Sequence, residues 1–90
     1  MEFEWDPKKA AANNRKHNVT FQEAATILGD SLAFTFEDPD HSISEKRYIT
    51  FGLSQHKRLL VVSHTERSDR TRIISARLMT RTERRIYEEG

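Results

Sequence analysis

The sequence predicts an α+β fold: an antiparallel sheet of about four strands plus a short N-terminal strand, two N-terminal helices packed on one face, and a short C-terminal helix. Three observations predict it. Residues 59–66 and 71–78 are apolar, β-branched runs on either side of the charged segment Glu66 to Arg70, which is the pattern of a β-hairpin. Glu45 to Leu53 alternates in the same way and is joined to the hairpin by Ser54-Gln55-His56-Lys57. The first third of the chain carries two helix starts, Asp6-Pro7 and Thr20-Phe21-Gln22-Glu23.

Glu2 to Trp5 alternates polar and apolar residues and reads as an edge strand with Phe3 and Trp5 inward. Asp6 then offers its carboxylate to orphan amides, and Pro7 is tolerated at the first helical position. The helix is expected to run to about His17, with Lys16 and His17 at the end where positive charge is favourable and Asn18 as a left-handed stop. His17 therefore reads as a capping residue rather than a catalytic one. The second helix places Phe21, Ala24, Ala25 and Leu28 on one face, opens on a capping box and stops at Gly29.

Ser31 to Glu37 alternates Leu32, Phe34 and Phe36 with smaller or polar residues, the pattern of a half-buried strand. In the loop Asp38-Pro39-Asp40-His41-Ser42 the proline accounts for the turn, and no repeating ligand spacing points to a metal, so none is expected. After the three-stranded unit, Thr80-Arg81-Thr82-Glu83 is a second capping box. It opens a basic helix with Arg81, Arg84 and Arg85, too short to stand without the sheet.

A turn centred on Ser68 and Asp69 sets Leu60 opposite Arg77, Val62 opposite Ser75 and His64 opposite Ile73. A four-residue loop at 54–57 sets Arg47 opposite His64 and Glu45 opposite Glu66. One sheet face then collects Glu45, Arg47, His64, Glu66, Ser75 and Arg77. A turn of odd length scrambles these assignments.

With 90 residues and no cysteine, one small domain must be stabilised by packing or by a partner, without disulfides, thiolate metal sites or thiol nucleophiles. No segment approaches the roughly 20 apolar residues of a membrane span, and Met1-Glu2-Phe3-Glu4 is not a signal peptide. A cytoplasmic protein without membrane contact is expected. The charge is unevenly spread: residues 1–45 hold four bases against nine acids, and residues 46–90 hold eleven against five. The basic half suggests a polyanion or an acidic protein as partner, or simply two solvated surfaces of unequal charge.

Phe3-Glu4-Trp5-Asp6-Pro7, Lys16-His17-Asn18-Val19-Thr20-Phe21-Gln22-Glu23-Ala24, His41-Ser42, Glu45-Lys46-Arg47-Tyr48, Thr65-Glu66-Arg67 and Arg72-Ile73-Ile74-Ser75-Ala76-Arg77 occur in order with short gaps. Over nearly the whole chain this series resembles the BrnT toxins. The family is similar to the RelE and ParE superfamily, with helices packed on an antiparallel sheet. The resemblance implies the toxin of a bacterial type II toxin-antitoxin pair, a ribonuclease that inhibits translation. It also implies a BrnA-type antitoxin partner, which itself binds operator DNA, so that DNA is met only indirectly. Asn18 and Ser68 stand where the family usually has glycine, and Leu78 where it often has lysine.

Without a thiol or a metal, RNA cleavage requires the substrate's 2′-hydroxyl as nucleophile, a base, an acid and cations at the phosphorane. His64 is the natural proton-transfer group, with Glu45 or Glu66 as its partner or as the base. Arg47 and Arg77 are expected to grip the phosphate, with no cofactor. Lys46, Arg67, Arg81, Arg84 and Arg85 are expected to hold the RNA backbone. Two other readings stand beside this one. The same charges form a cross-strand ladder around a satisfied histidine, or the basic face docks an antitoxin or protein target without catalysis.

Overall fold

The computed structural model describes residues 2–41 and 45–90. Ser42, part of the predicted loop and of the BrnT-like series, lies outside the described residues, as does Met1. Among the described residues five strands form one sheet: β1 Glu2–Glu4, β2 Phe34–Glu37, β3 Arg47–Leu53, β4 Leu59–Arg67 and β5 Arg70–Leu78. Their spatial order is β1-β5-β4-β3-β2. All neighbours are antiparallel except β1, which lies parallel to β5 with Phe3 beside Thr71. The sheet is therefore mixed, which corrects the expected antiparallel one. A parallel neighbour needs a long crossover. Here most of the chain runs between β1 and β5.

Among the described residues three α-helices complete the fold: α1 Pro7–His17, α2 Phe21–Thr26 and α3 Arg81–Glu89. Helix α1 starts where Asp6 accepts from the Lys8 amide and ends at Asn18, whose φ of 56° is left-handed. The Ser68 turn also has a φ of 56°, so both residues that stand for family glycines take the backbone state glycine favours. Thr20 caps α2 through the Glu23 amide. The Glu23 carboxylate does not return to close the predicted box. It is buried and binds Ser54 Oγ at 2.7 Å and Arg58, tying α2 to the loop between β3 and β4. The box at α3 is complete, with Thr80 and Glu83 satisfying each other's amides.

Helices α1 and α2 cover one face of the sheet, where Val19, Phe21, Ala24 and Ile27 pack on Leu60, Val62, Ile73 and Ala76. Trp5 meets Phe21 edge-on at a centroid distance of 6.0 Å. Gly52 lets the 3₁₀ turn Ile27–Gly29 sit against β3. A Cβ there would lie 2.9 Å from Ile27 Cβ. The buried Asn13 of α1 reaches β5 with both ends of its amide, donating to Ala76 O at 2.9 Å and accepting from Ala76 N at 3.1 Å.

The opposite face is covered at one end only. There Phe34, Ile49, Leu59 and Tyr87 of α3 gather on Phe51, Val61 and Met79. The Tyr87 hydroxyl donates to Asp30 at 2.6 Å, which pushes the phenol pKa up to about 12. Asp30 also accepts from the Leu53 amide, so one carboxylate joins α3 to the sheet.

Two features set the register. The loop between β3 and β4 has five residues, 54–58, with Leu53 opposite Leu59 and Ser54 donating its amide to Arg58 O. The hairpin β4–β5 turns at Ser68 and Asp69 as expected, and His64 lies opposite Ile73. A bulge then intervenes: Ser63 pairs with Ser75, leaving Ile74 as an extra residue. Beyond it Val62 faces Ala76, Val61 faces Arg77 and Leu60 faces Leu78, each displaced by one from the expected pairing. A one-residue displacement moves a side chain to the other face.

Candidate functional site

The register divides the expected cluster. His64, Glu66, Tyr48 and Thr50 belong to the face that α1 and α2 cover, because Tyr48 pairs with His64 and Glu66 with Thr71. Arg47, Thr65, Arg72, Ser63, Ser75 and Arg77 belong to the opposite face. The expectation that His64 and Arg77 share a surface is therefore corrected. The five-residue loop moves Arg47 away from His64, and the Ile74 bulge moves Arg77 and Ser75. Glu45 leads into β3 and pairs with Arg67 at 3.5 Å, so it does not face Glu66.

The open face has a row of guanidinium groups. Arg47 and Arg72 flank Thr65 on adjacent strands, placing the two arginine Cα atoms about 10 Å apart. Ser63 and Ser75 form the next row, and Arg77 opposite Val61 the one after. Arg72 donates to Glu4 at 3.3 Å, and Arg70 lies 3.8 Å from Glu2. Lys46 lies 3.8 Å from Glu37. Most of these pairs are long and exposed, and such pairs exchange readily for a stronger anion.

Arg77 differs. It places two nitrogens on Glu83, at 2.7 and 2.8 Å, which raises the arginine pKa and holds the carboxyl at about 2. This fork anchors α3 to β5. The remaining predicted RNA-binding residues, Arg81, Arg84 and Arg85, are exposed on α3. Arg84 borders a groove of about 280 Å³ with Lys57, Arg58, Leu59, Leu78 and Met79. Leu78, where the family often has lysine, is half exposed there.

On the other face His64 is 4% exposed. Its Nε2 lies 2.7 Å from Thr50 Oγ1, which lies 2.6 Å from Thr35 Oγ1. Its Nδ1 is buried with no hydrogen-bond partner, and the nearest carboxylate oxygen, Glu66 Oε1, is 3.7 Å away. That distance suits Coulombic attraction but not a hydrogen bond. Burial lowers the His64 pKa from its ordinary value and outweighs the opposing pull of Glu66, so the ring is neutral near neutral pH.

Sequence reasoning missed Arg72, Tyr48 and Thr71. Arg72 was hidden by its pairing with Thr65 across a hairpin whose polar face was assigned to the wrong side. Tyr48 was hidden by the loop length. Among the described residues, no three His, Asp or Glu side chains converge as a metal-ligand set, and no helix is long and apolar enough to cross a membrane.

Helices packed on a five-stranded mixed sheet form a fold shared with a bacterial ribonuclease toxin. The chain superposes on the crystal structure of the Brucella abortus ribonuclease toxin, BrnT, with a TM-score of 0.71 over 90% of this chain and 99% of that one. At 20% sequence identity this likeness is one of fold. The family described as "Ribonuclease toxin, BrnT, of type II toxin-antitoxin system" matches residues 5–83, and the chain belongs to that family. Membership of a type II toxin-antitoxin family implies an antitoxin partner. No curated protein matches the chain.

Proposed function

We propose that the protein is a metal-independent endoribonuclease of the bacterial cytoplasm that inhibits translation and is neutralised by a BrnA-type antitoxin. Operator DNA is met only through that antitoxin. The observation that carries this reading is the row of Arg47 and Arg72 on an open sheet face, in a chain of a ribonuclease toxin family. Two guanidinium-bearing residues one strand apart on the same face supply bidentate donors for phosphate and positive charge where a phosphorane develops. Lys46, Arg67 and the α3 residues Arg81, Arg84 and Arg85 extend this field along the RNA.

The reaction is attack of the substrate's 2′-oxygen on the adjacent phosphorus. The P–O5′ bond breaks, leaving a 2′,3′-cyclic phosphate and a 5′-hydroxyl end. The 2′-proton passes to a base, and a proton is delivered to the departing O5′. Glu4, which accepts from Arg72, and Glu45, which pairs with Arg67, are the carboxylates we assign to this proton transfer. His64, expected as the proton-transfer group, and Glu66, expected with Glu45 as its possible partner or as the base, lie on the other face, and the step is written without them. Arg77 contributes by fixing α3 beside the substrate path.

The test is incubation of purified protein with RNA in chelator, with and without antitoxin. Cleavage to cyclic-phosphate ends that persists in chelator and stops with antitoxin is expected. A protein that binds antitoxin yet leaves RNA intact is instead the non-catalytic docking module.

A further inference from the structure

The four bases in the first half of the sequence, Lys8, Lys9, Arg15 and Lys16, all lie on α1, which contains no acid. A half-chain that is acidic by count therefore carries one wholly basic helix. Among the described residues none of the four makes an ion pair, whereas Arg67, Arg72 and Arg77 each meet a carboxylate. Cations without a partner take up a new anion without first giving up an old one.

Two of these cations border a groove at the edge of the sheet. Strand β1 accompanies β5 only as far as Arg72, and α1 takes up the same margin at Ala76 through the amide of Asn13. Between those two anchors, Ile74 and Ser75 of β5 line a groove of about 240 Å³ with Lys9, Lys16 and His17 of α1. Helical spacing fixes the side on which it opens. Ala10 packs on the core, Asn13 meets the β5 margin, and Lys9 and Lys16 follow round the helix on the far side of Asn13 from Ala10. That is the side of the open sheet face, where Ser75 lies between Arg72 and Arg77. The groove is thus continuous with the arginine-bearing surface. Lys8 and Arg15 are exposed on the outer side of α1 and do not line it.

We propose that this groove is a flanking subsite for single-stranded RNA, in which Lys9 and Lys16 hold backbone phosphates outside the cleaved bond as the strand leaves the arginine row over the edge of β5. The inference rests on the RNA reading above. A lysine ammonium is a point charge on a flexible stem, suited to gripping phosphates in any sequence. An acidic protein would need a large apolar anchor as well as charge. The exposed large apolar side chains, Leu32, Phe36, Leu78 and Ile86, all lie elsewhere, so the groove fits a polyanionic strand better.

The test is fluorescence anisotropy of the full-length protein with a labelled 2′-O-methyl oligonucleotide of about twelve nucleotides, which lacks the attacking hydroxyl and reports binding alone. Lys9→Gln with Lys16→Gln is expected to weaken binding about tenfold near ~0.1 M salt and to reduce the slope of log affinity against log salt by about 1.4, two phosphate contacts at roughly 0.7 each. Lys8→Gln with Arg15→Gln removes the same charge from the outer side of the helix and is expected to change affinity by less than about threefold. Equal losses in the two double variants would mean a diffuse field and overturn the subsite. So would unchanged RNA binding in the first variant, or a loss confined to its affinity for antitoxin, which would make the groove a protein-docking surface. A parent protein that does not bind the oligonucleotide overturns the RNA reading and the groove together. A parent that binds it, and cuts ordinary RNA, with both variants binding as tightly keeps that reading and loses the groove alone.

Discussion

The two faces of the sheet are made from the same strands, yet they spend their residues differently. Under α1 and α2, Leu60, Val62, Ile73 and Ala76 are closed off from water, and even the polar groups there, Asn13, Glu23 and Thr50, are buried and bonded. On the other face α3 covers one end, and the remainder shows Arg47, Ser63, Arg72 and Ser75 at least partly to solvent. The first face supplies stability and the second supplies charge. In a chain this small, a charged surface can be carried without loss of the core only if the two tasks are kept on opposite sides.

The sharpest way to break this contrast is a change that should act on one face alone. Leu60→Ala removes a fully buried side chain and is expected to cost about 2–5 kcal/mol in denaturant unfolding. The paired change Arg47→Ala with Arg72→Ala should do the opposite. Cleavage should fall about a hundredfold, close to 3 kcal/mol of transition-state stabilisation, while unfolding shifts by less than about 1 kcal/mol. If that variant cleaves RNA at the normal rate, the open face is not the catalytic one.

Glu83→Ala sharpens the boundary between the faces, since it releases α3 from Arg77 and removes the Thr80 cap. A loss of about 1–2 kcal/mol is expected. With the carboxyl at about 2 when folded and at its ordinary 4.5 when unfolded, its contribution is complete above pH 4.5 and is lost as the pH falls from there toward 2. Acid titration of the variant should show a shallower decline over that window.

The smallest effect belongs to His64. Its lowered pKa means that the unfolded chain binds the proton more readily, so stability decreases as pH falls from 6.5 toward the folded value and levels off below it. Thermal melts of His64→Gln between pH 7 and 5 should lack that slope. A slope of opposite sign in the parent protein would mean that Glu66 controls the ring rather than burial.

Most of the fold could be read from local chemistry. Asp6-Pro7, Asn18 and Thr80 to Glu83 each act within one helical turn, and the helices begin and end where those residues require. The hairpin turn at Ser68 and Asp69 was legible for the same reason. Faces were less so, because they depend on counting. Ser54 to Arg58 closes as five residues through two backbone hydrogen bonds, with Lys57 at a φ of 67° that its sequence does not advertise. Ile74 is squeezed out of the ladder so that both Ile73 and Ala76 reach the core, a demand made by α1 and α2 from the other end of the chain. The site residues were identifiable as charged and polar strand positions, but two one-residue offsets divided them between surfaces. The parallel docking of β1 had no local signal at all.

The amide of Asn13 has a consequence for how the molecule meets its own kind. Alongside Ala76, beyond the short stretch that β1 covers, β5 would offer a free margin to any extended peptide. The side chain occupies that margin as a strand's main chain would. A protein produced in a crowded cell beside many nascent chains thereby has one fewer place at which fibrous stacking can begin.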